Sequence, residues 1–166
     1  MWAVIKDITI DKYITVDLPM DLNTIINPHH EYIFTDWSVL PLYEYTSITE
    51  VNEFLLFCKE IGINEETLEI LSRVCTFSEV KDAIESGNYD IVDFDFVTSN
   101  WMVSDINDDW DKGRVLFEEG YVTLPFEYKE EYEEYIRWET LWTEAETGHG
   151  WKVARTRKYH DYLVRV

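Results

Sequence analysis

SITEVNEFLLFCKEIG, residues 47–62, is the stretch on which the fold class turns. Ser47 followed by Glu50 is a capping-box signature, and Ile48, Val51, Phe54, Leu55 and Cys58 then recur at helical spacing until Gly62. The chain before it reads as extended. Trp2 to Ile5 and Tyr13 to Val16 are short β-branched and aromatic runs with a turn at Asp11-Lys12 between them. Pro19 ends the second run, and Asp21 to Ile26 reads as a short helix stopped by Asn27-Pro28. Glu31 to Trp37 resumes an extended pattern, continuing weakly through Val39 and Leu40 to Tyr45. Strands gathered at one end, with helices after them, point to an α+β chain.

Working toward the C-terminus, Asn64 is placed to cap a second helix with Glu65 and Glu66 in its first turn, where carboxylates suit the helix dipole. Ser78 is expected to cap a third, running through Val80, Ala83 and Ile84 to a stop at Gly87. These short helices are expected to form a small bundle of their own. Asp90 to Val97 alternates acid with apolar residues, the pattern of a half-buried strand whose polar face is carboxylate. A helix is expected from the Ser104-Asp105 region to Glu119, ending at Gly120. Pro125 then precedes a predicted helix from Glu127 to about Glu144. It would align Tyr128, Tyr132, Tyr135, Trp138 and Trp142 on one face and Glu127, Glu130, Glu131 and Glu134 on another. Trp151 to Arg157 and Tyr162 to Val166 read as two closing strands.

Charge is the second strong signal. Asp and Glu number 34 against 14 Lys and Arg, a formal net charge of -20. No base lies between Lys12 and Lys59, and nine acids with no base lie between Lys81 and Lys112. Disordered acidic tails are poor in aromatic and aliphatic residues. Here 46% of residues are hydrophobic and 16% aromatic, which is material for a packed core. A high-salt environment would also suit an acidic surface, although it leaves the large aromatics unaccounted for. Such a surface repels phosphates, which argues against binding nucleic acid or anionic membranes directly. The C-terminal segment differs: Lys152, Arg155, Arg157, Lys158 and Arg165 stand against Asp161 alone, a complement to acidic surface within the chain or across a dimer. Cys58 and Cys75 sit in apolar helical patterns without a CxxC spacing, as expected of buried thiols in a reducing compartment. With no leader-like segment and no 18-residue apolar run, the expectation is a soluble, cytoplasmic protein.

Catalytic signatures are missing. There is no P-loop, GxGxxG, HExxH or GxSxG. His29 and His30 are adjacent loop histidines with no third ligand beside them. Asp105, Asn107 and Asp109 imitate the start of a calcium loop, but Trp110 stands where the sharp turn needs Gly and Leu116 where a bidentate Glu is required. The expectation is no enzyme, no cofactor and no metal; a hydrolase built on the acids of 105–111 is the weakest reading.

The acids make better sense collectively. Duplex DNA carries a negative charge about every 1.7 Å of axis, and proteins that bind it gain affinity by pairing those charges with Lys and Arg. A folded chain studded with carboxylates offers a competing field. Two blocks then carry a resemblance: Glu31 to Asp36, and Glu44-Tyr45-Thr46-Ser47-Ile48-Thr49-Glu50-Val51-Asn52. Together with Leu116 to Tyr121, Pro125 and Tyr135 to Glu139, in that order, they resemble the ArdA antirestriction proteins across most of residues 13–166.

That resemblance implies an elongated array of three small domains, here 1–61, 62–103 and 104–166, and a homodimer that mimics bent DNA. It further implies occupation of the DNA groove of Type I restriction–modification enzymes, on their specificity and methyltransferase subunits, in defence of incoming plasmids and conjugative transposons. The acidic surface offered to that partner would comprise Asp82, Glu85, Asp90, Asp93, Asp95, Asp105, Asp108, Asp109, Asp111, Glu127, Glu130, Glu131 and Glu134. The dimer contact would comprise Leu116, Phe117, Tyr121, Val122, Pro125, Tyr128, Tyr132 and Tyr135. The alternative is an acidic interaction module for some other basic DNA-binding protein.

Overall fold

The chain begins with β1 (Trp2–Asp7), β2 (Lys12–Asp17) and β3 (Tyr32–Trp37), an antiparallel sheet in the order β2-β1-β3. Alternation along β1 sends Ala3 and Ile5 inward with Val16 and Phe34 from its neighbours, as a half-buried sheet requires. Asp7 also points inward. Its carboxylate accepts the backbone N–H of Thr9 and Ile10 and lies 2.7 Å from His30 Nδ1, closing the turn and anchoring the loop before β3. The structure is a computed structural model and describes residues 1–166.

The predicted helix α1 (Ile48–Glu60) forms as its spacing demands, with Ser47 accepting the Glu50 N–H and Ile48, Val51, Phe54, Leu55 and Cys58 buried. Asn52, also buried, spends its amide on both backbone groups of Met20, at 2.8 and 3.0 Å. Helix α2 (Glu65–Ser72) is capped by Asn64 as expected. Helix α3 (Phe77–Ser86) is capped by Thr76 rather than Ser78. The Glu79 carboxylate accepts the Thr76 N–H at 2.7 Å while Thr76 Oγ1 accepts the Glu79 N–H, so the reciprocal box fixes the start two residues earlier than predicted.

In the second half, β4 (Asp90–Asp93), β5 (Lys152–Arg155) and β6 (Asp161–Arg165) form another antiparallel sheet in the order β4-β6-β5. The predicted strand from Asp90 to Val97 stops at Asp93. That carboxylate accepts the Phe96 N–H at 2.9 Å and starts a single helical turn, α4 (Phe94–Val97), which buries Phe94 and exposes Phe96. Helix α5 (Asp109–Glu118) starts later than the Ser104-Asp105 region, because Asp108 is its cap and residues 105–108 are loop.

The long helix predicted from Glu127 does not form. Residues Glu130–Tyr135 make tight 3-10 turns, Ile136 and Arg137 are non-helical, and α6 (Trp138–His149) begins only then. Like charges at helical spacing oppose an α-helix over 127–134. The aromatic stripe is therefore divided: Trp138 and Trp142 are buried, whereas Tyr135 is 75% exposed. Helices α5 and α6 meet through Gly113, where even a Cβ would stand 1.9 Å from the Trp138 carbonyl oxygen. Val92, Phe94, Ile106, Val115, Leu116, Trp142, Ala145, Trp151 and Leu163 form the core beneath them.

The protein is thus a mixed α+β fold carrying two small three-stranded antiparallel sheets. Its contacts gather into two compact units, Met1–Gly87 and Asn88–Val166, so α2 and α3 share a unit with the first sheet, where the sequence reading set boundaries at 61 and 103. No helix is long and apolar enough to cross a membrane.

Candidate protein-binding surface

The first unit holds 16 acids against five bases and the second 18 against nine, so both are strongly negative. What the bases do decides how that charge presents itself. At least seven of the fourteen, Lys6, Arg73, Lys81, Lys112, Arg114, Arg155 and Arg165, are ion-paired to carboxylates of the same chain.

In the second unit, three of them are also held against aromatic rings. Lys112 is 7% exposed, its Nζ 2.7 Å from Asp109 and 4.6 Å from the Trp142 ring. Arg114 stacks 4.4 Å from Trp101 and 5.5 Å from Trp110 while bonding Glu118 at 2.8 Å and Glu133 at 2.6 Å. Arg165 lies 5.3 Å from Trp151 and 5.8 Å from Tyr121, with its Nε 2.8 Å from Asp90. Each exposed pair is worth about 0–1 kcal/mol and each ring contact about 0.5–2 kcal/mol. Their larger effect is on geography. Aromatic side chains draw these cations against the core, and the surplus carboxylates are left facing water.

Of the acids singled out from sequence, Asp82 and Glu85 stand exposed on α3, and Asp95, Asp105, Asp108, Asp109, Glu127, Glu130, Glu131 and Glu134 are exposed in the second unit. Several of these already serve the fold. Asp95 accepts the Asp161 N–H at 2.9 Å, and Asp108 caps α5. The Asp105 carboxylate accepts the Asn107 backbone N–H at 2.9 Å and its side-chain amide at 2.8 Å, hydrogen bonds that hold its pKa below the usual value. Asp90 and Asp93 are half-buried, one paired to Arg165 and the other capping α4.

Asp111 is the exception to an exposed surface. It is 8% exposed, accepts the Asp105 N–H at 2.7 Å, and burial raises its pKa. The stretch 105–111 therefore turns three of its carboxylates onto its own backbone, Asp105 onto Asn107, Asp108 onto Trp110 and Asp111 onto Asp105.

The residues named for a dimer contact lie in one unit but differ in access. Leu116 is fully buried. Phe117 and Tyr128 pack on Trp138 with ring centroids at 5.3 and 6.3 Å, and Val122 is partly buried against the core. Tyr121 covers Trp151 at 4.9 Å, and Tyr132 meets Phe126 edge-on at 6.2 Å. Pro125, Tyr121, Tyr132 and Tyr135 are exposed, and Phe117, Val122 and Tyr128 are half-buried.

Sequence reasoning missed Lys112, Arg114, Glu118 and Glu133. The i,i+4 spacing of Arg114 and Glu118 signals their pair, but nothing local announces that Arg114 reaches Glu133 across 19 positions. Compared with protein-family models and with curated proteins, the chain matches none of either.

Proposed function

We propose that this protein is an antirestriction DNA mimic: a carboxylate surface that occupies the DNA groove of Type I restriction–modification enzymes. The observation that carries the reading is the division of charge. At least half of the bases are bound to the chain's own carboxylates, while ten of the thirteen singled-out acids face solvent. A basic, DNA-shaped groove is the surface such a distribution complements, by long-range steering and many weak contacts.

The proposal carries with it an elongated array of three small domains, a homodimer formed around 116–135, and action in the cytoplasm on DNA arriving by plasmid or transposon. No residue is catalytic in this account.

ATP-dependent cleavage of unmodified plasmid DNA by a Type I enzyme tests it. Cleavage should stop when the protein is added in molar excess over enzyme. Undiminished cleavage across a panel of Type I enzymes, with the protein folded, would move the proposal to another basic partner.

A further inference from the structure

The segment that carries Glu127, Glu130, Glu131 and Glu134 has little to hold it. Its 3-10 turns over Glu130–Tyr135 contain no buried residue, and no side chain caps their start. Seven glutamates fall between residues 118 and 134, with Lys129 the sole base among them, so their mutual repulsion favours spreading the segment into solvent. Two attachments oppose this. One is Tyr128, whose ring packs on Phe117 at 5.3 Å and on Trp138 at 6.3 Å. The other is Arg114.

We infer that Arg114 is the positioning residue of this acidic face, one cation that gathers Glu118 and Glu133 from two elements and so sets where the remaining glutamates stand. Its geometry suits the task. The guanidinium uses Nε for Glu118 and NH1 for Glu133, at 2.8 and 2.6 Å, a division of labour that a planar fork allows and an ammonium does not. Trp101 and Trp110 hold the same group against their rings, so it reaches the segment from a fixed base rather than from a mobile surface chain. The inference rests on the DNA-mimic reading only for its binding consequence; the ordering of the segment stands apart from it.

The two consequences give opposite signs to one substitution. Arg114→Ala takes the net charge from -20 to -21. A surface that worked by total charge alone would bind a basic groove at least as well. A surface that must be positioned binds worse.

The test takes the full chain and the variants Arg114→Ala, Arg114→Lys and Glu133→Ala. It reads amide hydrogen exchange over 130–136 and competition against duplex DNA for a Type I methyltransferase. Exchange over 130–136 should quicken by about tenfold or more in Arg114→Ala and in Glu133→Ala, while the strands keep their protection. Affinity of Arg114→Ala should fall by about tenfold despite its extra negative charge. Arg114→Lys should recover only part of both, since Lys keeps the charge but not the fork.

Unchanged exchange in a folded Arg114→Ala or Glu133→Ala protein would overturn the inference, as would tighter binding by Arg114→Ala. Should the wild-type protein bind no Type I methyltransferase, the functional reading fails, and the exchange measurement still decides whether Arg114 orders the segment. If Arg114→Ala does not fold, Glu133→Ala decides it, because that change removes the tether and leaves the Arg114 stack in place.

Discussion

Replacing Gly113 by alanine probes the closest approach in the second unit. A Cβ there would stand 1.9 Å from the Trp138 carbonyl oxygen, 2.7 Å from its carbonyl carbon and 3.2 Å from the Trp142 nitrogen. Ordinary contact begins near 3.4 Å, so the nearest approach is short by 1.5 Å, and the obstacle is backbone that no rotamer change relieves. The helices must part by more than an ångström, loosening Val115, Leu116, Trp142 and Ala145 in the core behind them.

Overpacking of this kind costs about 3 kcal/mol, at the upper end of its usual range. Alanine in a helix interior returns about 1 kcal/mol of intrinsic propensity. The strain wins, and a net loss of about 2 kcal/mol lowers Tm by roughly 4–8 °C if the chain melts as a single unit. Thermal melts followed by circular dichroism and by the fluorescence of buried Trp138 and Trp142 measure it. An alanine variant as stable as the parent would refute the close contact, and with it the packing that places Arg114 and the glutamate segment.

Asp111→Asn keeps an oxygen for the Asp105 N–H but removes the buried charge. Because burial raises the Asp111 pKa, ionisation costs the folded state stability as pH climbs past the ordinary carboxylate value. The variant should therefore melt higher than the parent at pH 7, with the gain fading in acid as the wild-type carboxyl protonates; a lower Tm at pH 7 would contradict this. Cys58 is buried, and its thiol is pushed up to about 11. A thiol reagent at pH 8 should label it slowly in the native protein and at once in denaturant; rapid native labelling would contradict the helix packing. Neutralising Glu130 alone should change affinity for a basic partner by less than about threefold, whereas Glu127, Glu130, Glu131 and Glu134 together, changed to Gln, should weaken it by about a hundredfold or more. A single glutamate that matters as much as four would replace collective charge with a hot spot.

What was legible in the sequence was what local chemistry decides. Ser47 and Asn64 announce their helices through the N–H groups they cap, and the hairpin of β5 and β6 follows from two apolar runs parted by a basic turn. Thr76 was legible in principle, since Glu79 stands three residues on, but Ser78 sits closer to the apolar run and drew the boundary inward. The break between Tyr135 and Trp138 was not visible. Spacing of aromatics does not record that like-charged glutamates disfavour a helix while Trp138 is drawn into the core. The acidic surface was legible in composition and in the runs of acid without base, and its two internal features required tertiary structure: Asp111 turned inward, and Arg114 joined to Glu133.

The central claim is that solvent-facing carboxylates compete with DNA for a basic groove. Labelled duplex DNA bound to a Type I methyltransferase core, titrated with this protein at several salt concentrations, measures that most directly. The account predicts displacement near stoichiometric protein at low salt, with apparent affinity falling linearly in log-log form as salt rises. Failure of the folded protein to displace DNA at any salt, or displacement indifferent to salt, would contradict it.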